Sequence, residues 1–288
     1  MTVHIPVLTD ETIEALQISE GHVVVDGTFG GGGHSKLILE KLSGTGRLIG
    51  CDRDPLAIEN AESWAPENVT LIATNYADIP EYMAQLELES VNSIVLDLGL
   101  SSDQLEDRDR GFSFKSEGTL DLRFNPTAGE PAWRLVNRLG EKHLANLIYE
   151  FGEERFSRRI ARKICELRHH DPIKTSEHLA RIVRSCVPRQ RGTSIDPATR
   201  TFQALRIGVN EELKWLKVAV RRLPELLVPG GRIAIISFHS LEDRIVKTAF
   251  VESDNLDVIT KRPITASEQE LSDNPRSRSA KLRVAQKR

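Results

Sequence analysis

Residues 22–34 read HVVVDGTFGGGGH, and this stretch decides the fold. Three consecutive valines form a short apolar run with no polar alternation, as expected of a strand buried on both faces of a sheet. Asp26 closes the run, and glycines at 27 and 30–33 bend the chain before a helix-compatible stretch at 36–42. Four successive glycines cost conformational entropy on folding. A flexible turn is therefore a poorer explanation than a backbone that must approach a ligand closely.

Outward from this bend the alternation continues. Strands are expected at 47–52 (RLIGCD), 69–73, 93–98 (SIVLDL) and 232–238 (RIAIISF), with helices at 54–64 and 79–86. Asp54 followed by Pro55 is an N-cap and first-turn pair. Strands and helices at this spacing mean βαβ units and a parallel sheet. From 101 to about 196 the pattern breaks. A charged, irregular loop (103–125) precedes helical stretches at 143–151, 153–167 and 177–187, the last capped by Thr175 or Ser176. A long amphipathic helix is expected over 202–227, then a turn at Pro229-Gly230-Gly231, a helix with Ser240 as its N-cap, and closing strands at 257–260 and 282–285. The fold class is α/β. Residues 1–106 and 200–288 form the core, interrupted by a helical insertion over 107–199. An insertion after a strand's carboxyl end, where such sheets bind ligands, should wall the site.

Apolar residues make up 39% and charged residues 28% of the 288, enough for a core and too many apolar groups for wholesale disorder. No run approaches the ~18 apolar residues of a membrane span, and the first residues lack the apolar stretch of a signal peptide. The three cysteines, Cys51, Cys165 and Cys186, form no C-x-x-C pair. A cytoplasmic location and no metal site are the expectation. The net charge of −3 hides an uneven distribution. Residues 153–191 hold 11 Lys/Arg against 5 Asp/Glu, and residues 261–288 hold 8 against 3. Such segments are either solvated faces or a surface for a polyanion.

The glycine bend matches neither phosphate-binding pattern. A P-loop needs lysine and a hydroxyl residue where Gly33 and His34 stand, and G-x-G-x-x-G fails from either Gly27 or Gly30. Asp52, ending the second strand, is placed for ribose hydroxyls. The site therefore suits an adenosine-like ligand without a demand for phosphates, and S-adenosylmethionine meets that description. No G-x-S-x-G elbow accompanies Ser237-Phe238-His239-Ser240, which argues against hydrolysis. No cysteine sits in a catalytic-loop context, which argues against carbon-5 methylation of a pyrimidine. Residues 97–102 read DLGLSS, not the Pro-Pro loop of other amino-methylases.

Ten segments together resemble one family: HIPVLTDETIEAL (4–16), DGTFGGGGHS (26–35), DRDPLAI (52–58), VLDLGLSSDQL (95–105), GFSF (111–114), LDLRF (120–124), FGEERF (151–156), PATRTFQALRI (197–207), LVPGGRIAIISFHSLEDRIVK (227–247) and NPRSRSAKLRV (274–284). The chain resembles the RsmH (MraW) family, bacterial methyltransferases acting on N4 of a cytosine in small-subunit ribosomal RNA. The resemblance implies a class I S-adenosylmethionine-dependent methyltransferase of Rossmann-like type with a helical, substrate-recognising insertion. It implies cofactor contacts at Gly32, Gly33, His34, Asp52, Tyr76, Asp97 and Gln104. The implied partner is 16S ribosomal RNA within the small subunit, with the target cytidine in the decoding region; a homodimer is left open.

The exocyclic amine of cytosine is a poor nucleophile, so positioning and a proton acceptor are what the chemistry needs. Asp97 and a hydroxyl of Ser101 or Ser102 are the candidates. His239 is either turned to the substrate or a structural histidine. The arginines at 158, 159, 162, 181, 184, 189 and 191 and the tail's Arg276, Arg278, Lys281 and Arg283 become candidate RNA-backbone contacts. Two rivals stay open: a small-molecule methyltransferase, and a non-catalytic RNA-binding assembly factor on the same fold.

Overall fold

The structure, a computed structural model, describes residues 6–114, 118–188 and 196–288; Arg189 and Arg191 and the Ser102 side chain lie outside the described set. The chain divides into two compact units, Met1–Ser101 with Leu213–Arg288, and Ser102–Glu212.

The first unit begins with α1 (Thr9–Leu16), β1 (Val23–Asp26), α2 (Gly33–Leu42), β2 (Arg47–Asp52), α3 (Pro55–Glu62), β3 (Val69–Ala73), α4 (Ile79–Gln85) and β4 (Val91–Asp97). The second unit holds α5 (Ser102–Glu106), α6 (Ala132–Arg138), α7 (Glu141–Gly152), α8 (Ser157–Leu167), α9 (Ser176–Cys186) and α10 (Thr199–Asn210). The chain then continues through α11 (Glu212–Arg222), β5 (Leu227–Ser237), α12 (Ser240–Glu252), β6 (Leu256–Val258), α13 (Glu268–Asp273) and β7 (Lys281–Lys287).

The seven strands form one sheet in the order β3-β2-β1-β4-β5-β7-β6. The first five are parallel, and β7 runs antiparallel between β5 and β6. Strand order reverses between β1 and β4, which makes the carboxyl ends of these two strands the switch point. Successive buried residues alternate between two cores. Val24, Leu48, Val95 and Ala234 pack with Leu16, Ile38 and Leu42 on one face. Val25, Ile49, Ile94 and Ile233 pack with Met83, Leu216, Leu223 and Phe250 on the other. Both faces being covered explains why the strands read as apolar runs.

Four expectations are corrected. The helix expected over 202–227 is two helices, because Glu211 takes a left-handed conformation (φ 51°) and ends α10. Helix α10 belongs to the second unit, so that unit reaches Glu212 and not 199. The reason is packing: α10 lies along α7, Gly152 meets the Arg200 carbonyl, and a Cβ on Gly208 would stand 3.0 Å from Leu147 Cδ1. The Pro-Gly-Gly turn sits inside β5, which pairs with β4 at Leu227 and again at Arg232 with a register shift between. Last, the N-cap of α12 is His239, whose Nδ1 accepts the Glu242 N–H (3.3 Å), and Ser240 is the first helical residue.

Candidate active site

The glycine bend is hydrogen-bonded to two strands, β4 and β2, before α2 begins. Gly27 N–H donates to the Val95 carbonyl of β4 (3.0 Å), and Phe29 N–H to the Cys51 carbonyl of β2 (2.9 Å). Gly30 N–H donates to Asp52 Oδ2 (2.8 Å). Gly32, at φ 75°, is the N-cap of α2 and offers no side chain to the helix start. The first amides of α2 therefore lack intrahelical acceptors, a favourable place for a carboxylate.

Three carboxyl groups end three adjacent strands. Asp26, ending β1, accepts from Ser35 Oγ (2.7 Å) and from Thr28 N–H (3.1 Å). Asp52, ending β2, accepts Gly30 N–H on one oxygen and Asp54 N–H (2.8 Å) on the other. Burial pushes both acids up to about 6 against the hydrogen bonds that hold them down. Asp97 ends β4, and its backbone N–H donates to Thr28 Oγ1 (2.6 Å). Its carboxyl is raised well above the usual range, first by burial and then by the nearby charges of Asp26 and Glu242. Asp97 Oδ2 lies 3.7 Å from His34 Nδ1, while Oδ1 is buried with no hydrogen-bond partner among the described residues. His34 Nε2 meets the Val7 carbonyl at 3.1 Å. A carbonyl only accepts, so this nitrogen carries the proton and Nδ1 faces Asp97.

Six of the seven expected cofactor residues lie in the first unit. Gly32, Gly33 and His34 form the bend and the start of α2, and Asp52 and Asp97 flank β1. Tyr76 opens a 3-10 turn after β3, and a Cβ on Gly27 would stand 3.1 Å from its Cβ. Gln104 is buried in α5 of the second unit. Of the catalytic candidates, Ser101 lies against the bend, its Cβ 3.5 Å from where a Cβ on Gly30 would be. His239 has its Nδ1 engaged as a cap and its Nε2 3.2 Å from Glu242 Oε1. Sequence reasoning missed the Asp26–Thr28–Asp97 chain of hydrogen bonds. Asp-Gly before a hydroxyl residue was the available signal, because an aspartate that bonds the amide two residues on makes an Asx turn.

The site's electrostatics select among nucleotide-like ligands. Three acids on neighbouring strand ends oppose phosphate and favour a cation. A ribose suits Asp52, an amino-acid carboxylate suits the α2 amides, and a sulfonium suits the acidic floor. The unpartnered Asp97 oxygen is buried at the carboxyl end of β4, one of the two strands that form the switch point. These residues fit S-adenosylmethionine.

Fold and site together define a class I S-adenosylmethionine-dependent methyltransferase. The family model described as the MraW methylase family matches residues 1–288, and the chain belongs to that family. A protein from Rhodopirellula baltica named ribosomal RNA small subunit methyltransferase H is 46% identical over 99% of this chain and 92% of its own length. Proteins of the same name from Deinococcus radiodurans (49% identical, 99% and 89% covered) and Synechococcus sp. WH7803 (48%, 99% and 95%) are similarly related.

Proposed function

We propose that the protein methylates N4 of a cytidine in the decoding region of 16S ribosomal RNA, acting on the small subunit in the cytoplasm. The observation that carries this reading is the acid at the end of β4, with one buried oxygen left without a partner, in a chain of a family whose relatives are named for the small-subunit RNA. S-adenosylmethionine supplies the electrophilic methyl group when bound. The chain's own residues do the remaining work. Asp52 orients the ribose side, the α2 amides and acidic floor orient the charged end, and Asp97 accepts a proton from the attacking amine. Holding the amine in line with the methyl carbon removes much of the barrier. A cysteine adduct on the ring is not supported: Cys51 is buried with its thiol pushed up by burial, and Cys165 is likewise raised. No described helix is long and apolar enough to cross a membrane.

The second unit supplies the substrate surface in this reading. Arg158, Arg159 and Arg162 project from α8 and Arg181 from α9, all exposed. Arg184 is held by Asp196 (2.6 Å) over the Phe114 ring, so its charge is already satisfied. In the first unit, Arg283 is buried and paired with Asp243 (2.6 Å), which removes it from the RNA-contact set.

The deciding experiment maps methylated nucleotides in 16S ribosomal RNA from cells with and without the gene. One N4-methylcytidine should vanish with the gene and return with the purified protein, small subunits and labelled cofactor. Label that enters metabolites and never RNA would mean a small-molecule enzyme. A second measurement addresses the surface. Replacing Arg158, Arg159 and Arg181 together by alanine should weaken RNA binding at low salt and flatten its log–log salt slope by ~2. An unchanged slope would remove α8 and α9 from the interface.

A further inference from the structure

We propose that Trp64 is a positioning residue that holds the glycine bend in its ligand-binding shape before the cofactor arrives. The proposal rests on the reading of this bend as the cofactor site, and no expected site residue includes Trp64. The tryptophan follows α3, two residues beyond its end, and touches the bend at its beginning, middle and exit. At the beginning, the Phe29 ring stacks on the indole with centroids 5.7 Å apart and planes 22° from parallel. That phenyl ring also packs closely on β2, because Gly50 offers only a hydrogen where a Cβ would strike Phe29 Cδ2. In the middle, the indole edge lies under Gly32, where an added Cβ would stand 2.5 Å from Cζ2 and 2.8 Å from Cη2. At the exit, Lys36 Nζ on the first turns of α2 sits 4.6 Å from the ring centroid.

A run of four glycines has the largest backbone freedom a chain can carry, and a ligand that must freeze it loses affinity. Hydrogen bonds hold the backbone at Phe29, Gly30 and Gly32, the last also accepting Lys36 N–H (3.0 Å), but they leave the Phe29 ring and the space under the bend to side-chain packing. The indole adds that packing by filling the space beneath Gly32 and stacking on the Phe29 ring, which also packs on β2. It thereby keeps Gly30 N–H on Asp52 and fixes the start of α2. Glycine at 32 is then required by the tryptophan beneath it as much as by its positive φ.

The test compares wild type with Trp64→Ala, Trp64→Leu and Trp64→Phe. Amide hydrogen exchange over 29–34 is measured without cofactor, and S-adenosylmethionine affinity by calorimetry. Loss of the ring should speed exchange of the bend by ~10-fold or more, leave β4 and β5 unchanged, and weaken binding by ~5–20-fold through lost preorganisation. Trp64→Phe, which can still stack on Phe29, should recover most of both. The leucine variant gives the answer if alanine does not fold. Unchanged bend exchange in the alanine and leucine variants, or acceleration spread evenly over the sheet, would overturn the proposal. Wild-type protein that fails to bind the cofactor would instead overturn the site reading, and the exchange data would still decide the role of Trp64.

Discussion

Asparagine at position 97 is expected to slow methyl transfer by ~10²–10⁴-fold at saturating cofactor, the range for removing a positioned proton acceptor. Asp97 is placed for this role. It ends β4 at the switch point, its backbone is fixed on Thr28 Oγ1, and one carboxyl oxygen has no partner among the described residues. A buried acid with an unused oxygen costs stability, so its retention calls for a use. Burial first, and then the charges of Asp26 and Glu242, raise its pKa well above the usual carboxylate range, as at many functional sites. The sign of the pH response follows. Below the folded pKa the carboxyl is protonated and cannot accept, so the wild-type rate should rise with pH and then level off. The asparagine variant should lack that rise. The same raised pKa makes an opposite prediction for stability. An acid whose folded pKa is raised contributes stability that is fully present below its unfolded pKa and is lost as pH climbs through the folded value. Asp97→Asn should therefore melt no lower than wild type at neutral pH while losing turnover. Single-turnover transfer within threefold of wild type would exclude Asp97 as the acceptor.

How much of this was readable in the sequence depends on whether the cause was local. The valine run, RLIGCD and SIVLDL declared buried strands because both faces of the sheet are covered. The Asp54-Pro55 start of α3 appears as read, with Asp54 Oδ1 accepting Leu56 N–H (3.2 Å). Asp52 and Asp97 could be placed because each closes such a run. The break at Glu211 could not be read, since a glutamate in the left-handed region leaves no mark in an amphipathic pattern. The α12 cap was displaced by one residue because serine is the commoner cap, yet here the imidazole reaches the Glu242 amide first. Charge clustering identified basic segments but not their availability. Whether Arg283 meets RNA or Asp243 depends on residues forty positions apart, which only the packing of β7 beside α12 settles. Trp64 was invisible for the same reason: its partners, Phe29, Gly32 and Lys36, come together through the βαβ crossover.

Alanine at position 52 is expected to weaken S-adenosylmethionine binding by ~100-fold, or ~3 kcal/mol, about what hydrogen bonds to a charged group contribute. A carboxylate offers about four acceptor sites. Gly30 N–H takes one on Oδ2 and Asp54 N–H takes one on Oδ1, which leaves capacity for a ribose diol. Alanine thus removes the ribose acceptor and also releases the bend and the start of α3. Asparagine should fail nearly as badly, because its NH₂ must oppose one of the two backbone N–H donors. Position 52 therefore demands a carboxylate, and a graded recovery from alanine to asparagine is not expected. The pH dependence carries the same signature. Burial sets the Asp52 pKa at about 6, so at pH 5 the cofactor-free site is mostly protonated and should bind weakly, with affinity rising toward pH 7.5. Asp26, also at about 6, adds to that rise, so the alanine variant should show a shallower slope, not a flat one. Titration calorimetry at three pH values separates these outcomes. Equal affinity in wild type and Asp52→Ala at neutral pH would mean that the ribose does not lie at the end of β2, and the assignment of the whole bend to this cofactor would fall with it.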